Sequence, residues 1–190
     1  MQQAIRPPDL VADVGEVLVT EEQIQAKVRE LGARLSLDYA GQPVTLVSVL
    51  KGALPFMADL MRAMSVPVQI DLMEVSSYGG TATETSGLVR IIKDLSSPIA
   101  DRDVLIVEDI IDTGLTLNYL LRYLRGKSPR SLRICALLDK PARRLVDISI
   151  DYLGFTIPDQ FVVGYGLDYG EFYRNLPFIG VLRPEVYERG

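Results

Sequence analysis

Four short apolar runs constrain this chain more than any other feature: TLVSVL (45–50), VQIDLMEV (68–75), DVLIVED (103–109) and SLRICALL (131–138). Nearly continuous apolar runs of this length suit strands buried on both faces, the hallmark of a parallel sheet. Stretches of helical spacing accompany them. In TEEQIQAKVRELGARL (20–35), Thr20 and Gln23 carry a capping-box signature, and Ile24, Val28, Leu31 and Leu35 share one face. Pro55 opens a second helix, PFMADLMRAM, as proline does at a first helical turn. Leu117, Leu120, Leu121 and Leu124 mark a third, closed by Gly126 and Pro129. Strand–helix–strand alternation over 45–140 predicts an α/β fold, a central parallel sheet flanked by helices with right-handed crossovers.

The segment SSYGGTATETSG (76–87) has few apolar anchors and reads as a mobile loop, after which LVRIIKDL resumes a strand. Beyond Arg144 the pattern turns to short strands, DYLGFTI, FVVGYGL and IGVLR, which with N-terminal residues suggest a small cap. The chain is expected to be a single domain over 1–190. Its core would span about 36–145, and its cap about 1–35 and 146–190.

What the chain lacks narrows its chemistry. It has no histidine, which removes the usual general base, the usual transition-metal ligand and any Ser-His triad. One cysteine, Cys135, excludes an internal disulfide and a cysteine zinc cluster; within LRICALL it reads as a buried core residue. Acid–base or metal work therefore falls to carboxylates, lysine or tyrosine, and a carboxylate-only site favours Mg²⁺. A formal charge of −5 argues against nucleic acid as the partner. No stretch approaches the roughly 20 apolar residues of a membrane span. The start, MQQAIRPPDL, is unlike a secretory signal, so a cytoplasmic protein is expected.

Ligands of open parallel sheets bind at the carboxyl ends of the strands. Lys51-Gly52, Ser77-Tyr78, Glu108 to Thr116, Lys140, and Phe161 to Asp168 fall at such ends or in the cap. The most informative stretch is VLIVEDIIDTGLTL (104–117). Its DTGLT turn, opening a helix, suits a phosphate, with backbone N–H groups and the hydroxyls of Thr113 and Thr116 as donors. An ordinary capped turn would look the same. The adjacent Glu108-Asp109 tips the balance, since paired acids ending a buried strand carry repulsion and desolvation costs that a surface turn has no reason to bear. Acids beside a phosphate cradle suit a sugar phosphate. A GxxxxGK[ST] loop is absent, and GYGLDYG (164–170) fails as a dinucleotide fingerprint because Tyr169 stands where the third glycine belongs.

VLIVEDIIDTGLTL resembles the phosphoribosyl diphosphate signature of the type I phosphoribosyltransferases. LKG (50–52), SSYGG (76–80), Lys140 and PDQFVVGYGLDYGEFYRNLP (158–177) are similar to the branch acting on hypoxanthine and guanine. The resemblance spans roughly 45–183 and implies the type I phosphoribosyltransferase fold, its cap being the hood. It implies that Glu108 and Asp109 bind the ribose 2′- and 3′-hydroxyls, partly through a Mg²⁺ water shell. Asp112 would handle a purine proton, and Thr113, Gly114, Leu115 and Thr116 would hold the 5′-phosphate. Lys51, Gly52 and Arg174 would bind pyrophosphate, with a cis bond between Leu50 and Lys51. Ser77 and Tyr78 would belong to a lid. Lys140 would donate to the purine O6, Phe161 would stack on the base, and Val162 and Asp168 would lie near its C2 edge, Asp168 also ligating Mg²⁺. Partners would be small molecules, in a homodimer or homotetramer.

Plainer readings stand beside these. Lys140 could be a solvated strand-end lysine, Phe161 core filler, Asp168 a turn residue and the Tyr78 loop merely disordered. Arg143-Arg144 reads as a solvated basic turn without a role. Two other functions compete: a transferase for xanthine, adenine or uracil, and a regulatory nucleotide- or RNA-binding protein on the same fold. An ammonium at position 140 disfavours adenine, which carries an amine in place of O6.

Overall fold

The computed structural model describes residues 9–78 and 88–188. Five parallel strands and one antiparallel edge strand form the main sheet. In chain order they are β2 (Val44–Val49), β3 (Val68–Tyr78), β4 (Leu88–Lys93), β5 (Asp103–Ile111), β6 (Ser131–Asp139) and β7 (Tyr152–Thr156). Their spatial order is β4-β3-β2-β5-β6-β7, with β4 running against β3. β1 (Val14–Val19), β8 (Val162–Val163) and β9 (Ile179–Leu182) make a separate antiparallel sheet, the expected cap, in the order β1-β9-β8.

Helix α1 (Glu21–Asp38) begins as its capping box dictates. Gln23 N–H donates to Thr20 Oγ1 at 3.3 Å, and Thr20 N–H donates to Gln23 Oε1 at 2.8 Å. The four residues of its apolar stripe, Ile24, Val28, Leu31 and Leu35, are all buried. They pack with Phe56, Met57 and Leu60 of α2 (Leu54–Ala63) on one sheet face. Helix α3 (Leu115–Arg125) covers the other face through Leu117, Leu120, Leu121 and Leu124. Cys135 is fully buried, and burial drives its thiol pKa strongly upward, as suits a core residue.

Four differences from the sequence expectation have physical causes. α1, assigned to the cap from its position, packs against α2 and β7 and belongs to the main core. β7, also assigned to the cap, is the parallel edge of the main sheet. Its Tyr152 is 1% exposed and donates a 2.7 Å hydrogen bond to Asp38 at the end of α1. The β6–β7 crossover contains no α-helix: after a 3-10 turn at Pro141–Arg143, an extended segment follows in which even-numbered residues turn inward. Ile148 and Ile150 thereby cover the α3 face in place of a helix. β1 is hidden in the sequence because Gly15 and Glu16 break its apolar pattern, and only its terminal valines are buried.

The end of the sheet remote from the strand carboxyl termini is anchored by an ion pair between a buried carboxylate and a half-exposed arginine. Asp103, 8% exposed, accepts from Arg130 Nε at 3.0 Å and from Ser131 Oγ at 2.7 Å. The Arg130 hydrogen bond, opposed by burial, holds its carboxyl below the ordinary 3.8. A depressed carboxyl stabilises the fold above its unfolded pKa and loses that contribution as pH falls through the folded value. Asp103→Asn is therefore expected to cost about 1–3 kcal/mol at pH 7. Urea unfolding of both proteins should show the gap narrowing below about pH 4; a gap independent of pH would remove the charge from the explanation.

Candidate active site

The strand order reverses between β2 and β5: from β2 the chain moves outward to β3, and from β5 it moves the other way to β6 and β7. Such a switch point leaves a crevice at the strand carboxyl ends. Two of the expected segments end there side by side, Leu50-Lys51-Gly52 after β2 and Glu108 to Asp112 at the end of β5. The Leu50–Lys51 peptide bond is cis, as the resemblance implies. Gly52 lies flat against Asp109: a Cβ there would run into Oδ2 and stand 2.9 Å from Cγ. Gly52→Ala should therefore push the Asp109 carboxylate aside and weaken binding of a diphosphate ester at least roughly tenfold, equivalent to about 1.4 kcal/mol. Calorimetric titration of wild type and variant checks this, and equal affinities would contradict it.

Burial and the negative charge of Asp109 raise the pKa of Glu108 well above its ordinary 4.5. Asp109 is pushed up to about 6 by burial, against the backbone N–H of Ile110, which donates to Oδ1 at 2.8 Å. Arg174 also favours its ionised form, while Asp168 opposes it. The two acids keep some solvent contact at the crevice floor, and a cation there would relieve their repulsion. Among the described residues, no three His, Cys, Asp or Glu side chains form a group able to hold a metal ion. Glu108, Asp109 and Asp168 are thus not a closed protein cage. An oxygen-only set of this kind fits an ion such as Mg²⁺ that shares its coordination with water and substrate.

The DTGLT turn follows. Gly114 has φ +79, and α3 starts at Leu115, two residues earlier than the apolar spacing indicates. Its first-turn N–H groups have no intrahelical acceptors, so Leu115 and Thr116 present backbone donors as well as the helix dipole. Thr113 Oγ1 accepts from Leu115 N–H at 3.4 Å. Behind the turn, Leu145 N–H donates to Thr113 O at 3.0 Å, and Val146 and Ile148 press on Gly114. The extended crossover therefore buttresses the cradle.

Asp112 lies beside Arg143, whose Nε is 2.9 Å from Oδ1, yet that oxygen makes no aligned hydrogen bond among the described residues. Arg143 also approaches Asp159 at 3.7 Å. Arg144 pairs with Asp139, and both side chains are largely buried. The basic turn at 143–144 is therefore a set of ion pairs at the site, not the solvated turn that the sequence suggests. Its acidic partners, at 112, 139 and 159, lie outside the dipeptide, so nothing local could have indicated them.

Lys140 is 6% exposed and donates from Nζ to Gln160 O at 2.6 Å. Burial lowers its pKa, against the attraction of Asp112 and Asp159. The plainer reading of a solvated lysine is excluded by this geometry. Phe161 sits in an aromatic cluster of the cap, stacked on Tyr187 at 5.1 Å and edge-on to Tyr169 at 5.7 Å. Val162, buried, opens β8 opposite Val181.

The 164–174 segment reaches back over the β2 turn. Gly166 has φ +101, and a Cβ there would run into Gly52 O. Arg174 donates to Gly166 O at 2.8 Å and pairs with Asp168 at 2.9 Å and Glu171 at 3.2 Å. Lys51 pairs with the other oxygen of Glu171 at 2.6 Å. Ser77 and Tyr78 end β3 opposite Val89 and Leu88, so strand pairing runs into the expected loop. Residues 79–87 of that loop lie outside the described residues.

A phosphoribosyl transferase domain family model matches residues 17–170. The chain belongs to the phosphoribosyltransferase family. It is 55% identical over 176 residues to the hypoxanthine-guanine phosphoribosyltransferase of Bacillus subtilis, covering 93% of this chain and 97% of that one. A crystal structure of a hypoxanthine phosphoribosyltransferase from Staphylococcus aureus superposes with TM-score 0.90 at 51% identity, covering 98% of this chain and 99% of that one. A mutant of the Trypanosoma cruzi hypoxanthine phosphoribosyltransferase, solved as a ternary substrates complex, gives 0.87 at 46% identity over 93% and 99%. Within the family, the chain falls in the hypoxanthine-guanine branch.

Proposed function

We propose that the chain joins N9 of a 6-oxopurine, hypoxanthine and also guanine, to C1 of 5-phosphoribosyl 1-diphosphate, releasing pyrophosphate. The observation that carries this reading is the convergence of the Gly114 turn, the raised-pKa acid pair and buried Lys140 around one crevice. Each matches a different part of the products, IMP and GMP.

In this reading Thr113 to Thr116 hold the 5′-phosphate, and Glu108 and Asp109 take the ribose hydroxyls. Lys140 donates to the purine O6. This disfavours adenine, because an ammonium has no lone pair to accept its exocyclic amine. Phe161 offers the base the ring face opposite Tyr187, and backbone groups near Val162 and Asp168 meet its C2 edge. Asp112 accepts a purine proton as N9 attacks. Lys51, Gly52 and Arg174 meet the negative charge that develops on the departing diphosphate. Mg²⁺ would be held by Glu108 and Asp109 on the ribose side and Asp168 on the diphosphate side, and when bound it would neutralise leaving-group charge. Ser77 and Tyr78 contribute to a lid that keeps water from the cationic sugar carbon.

Among the described residues no helix is long and apolar enough to cross a membrane. A cytoplasmic homodimer or homotetramer acting on small molecules fits the family. A coupled assay of hypoxanthine, guanine, xanthine and adenine with phosphoribosyl diphosphate and Mg²⁺ tests the proposal. IMP and GMP are the expected products, and no product from any base would overturn it.

A further inference from the structure

Lys51 and Arg174 come from turns far apart in sequence, yet one carboxylate bridges them. Glu171 Oε2 is 2.6 Å from Lys51 Nζ, and Oε1 is 3.2 Å from Arg174 Nη2. The bridge hangs from a tight hairpin. Tyr169 N–H donates to Phe172 O at 3.3 Å, and Phe172 N–H returns to Tyr169 O at 3.1 Å. The two tip residues, Gly170 and Glu171, have φ +59 and +71. Two positive-φ residues between paired flanks follow the type I′ pattern, in which glycine is favoured at the second tip position. Here a glutamate stands there instead. Its backbone N–H is fixed on Asp168 Oδ2 at 2.9 Å, so the turn presents the carboxylate to the two cations. Packing does not explain it, since the Glu171 side chain is 63% exposed.

We propose that Glu171 is an internal counter-anion of the diphosphate site. It holds Lys51 and Arg174 in place while the site is empty, and yields them to the phosphate oxygens of the incoming ligand. That role rests on the function proposed above. A carboxylate offers two oxygens to two donors much as a phosphate edge does, while a diphosphate carries more charge and so wins the exchange. Both ends of the Lys51–Glu171 pair are largely exposed, so solvent screens it and it opens at little cost. Departure of pyrophosphate is accordingly matched by return of the carboxylate. Glu171 is thus a positioning residue that competes with product.

Calorimetric titration with Mg²⁺-pyrophosphate separates competition from simple loop ordering. Glu171→Gln and Glu171→Ala should each bind pyrophosphate about 3- to 10-fold more tightly than the wild type at low salt. The gain should shrink as ionic strength rises. Unchanged or weaker binding in both variants, with wild-type melting temperatures, overturns the proposal; weaker binding would mean that Glu171 only orders the hairpin. Wild-type turnover of hypoxanthine, measured alongside, keeps the two questions apart. An active wild type with no gain in the variants sinks this inference alone, and an inactive wild type sinks the functional reading.

Discussion

Asp112→Asn is expected to lower kcat by about 10²–10⁴-fold, the usual worth of a positioned general base. Asn fills the same space but accepts no proton. The chain has no histidine to substitute, and Lys140, the nearest alternative named at this end of the crevice, is better placed to donate than to accept. Asp112 Oδ1 is buried against Arg143 Nε at 2.9 Å while the side chain as a whole is 40% exposed, so an incoming purine N–H would meet its other oxygen. Phosphoribosyl diphosphate should bind the variant nearly as well as the wild type, because the cradle at Gly114 is built largely from backbone N–H groups. Steady-state kinetics paired with equilibrium binding resolves the two effects, and a kcat near that of the wild type would remove Asp112 from the base role.

Lys140→Ala should raise the KM for hypoxanthine roughly 10- to 100-fold, the range for losing a hydrogen bond from a charged donor. The KM for phosphoribosyl diphosphate should move far less. Burial explains the size of the effect, since at 6% exposure water cannot readily replace the missing donor. The substitution also strips Gln160 O of its 2.6 Å donor, so a thermal melt must accompany the kinetics. If both KM values stay put in a folded variant, Lys140 is not the O6 contact. A parallel rise in both would point instead to general damage at the β6 end.

The main elements are legible in the sequence because their signals are local. The capping box of α1, the leucine face of α3 and the four apolar runs each declare themselves within about a dozen residues. The same holds for the acid pair and the DTGLT turn. What escapes depends on partners remote in sequence. Arg143 and Arg144 look solvated until Asp112, Asp139 and Asp159 are brought beside them. Glu171 looks like an exposed turn residue until Lys51 arrives from the main sheet. β7 looks like part of the cap because no helix precedes it. Alternating inward residues at 144–150 do a helix's covering work, and their period of two gives no hint of a parallel crossover.

The seam between cap and core carries a further consequence. Tyr165 donates to Asp59 of α2 at 2.7 Å, the same carboxylate oxygen that Gln25 of α1 reaches at 3.0 Å. Gly166 meanwhile rests on Gly52 with no room for a methyl group. The loop at 50–52 thus takes part of its shape from the cap, and the cap is moored to both helices of one face. Amide hydrogen exchange should therefore report a single cooperative unit, with β8 and β9 opening at the same free energy as β2 and β5. On this arrangement, fraying of the cap is expected to loosen the 50–52 turn as well, so that the two open together.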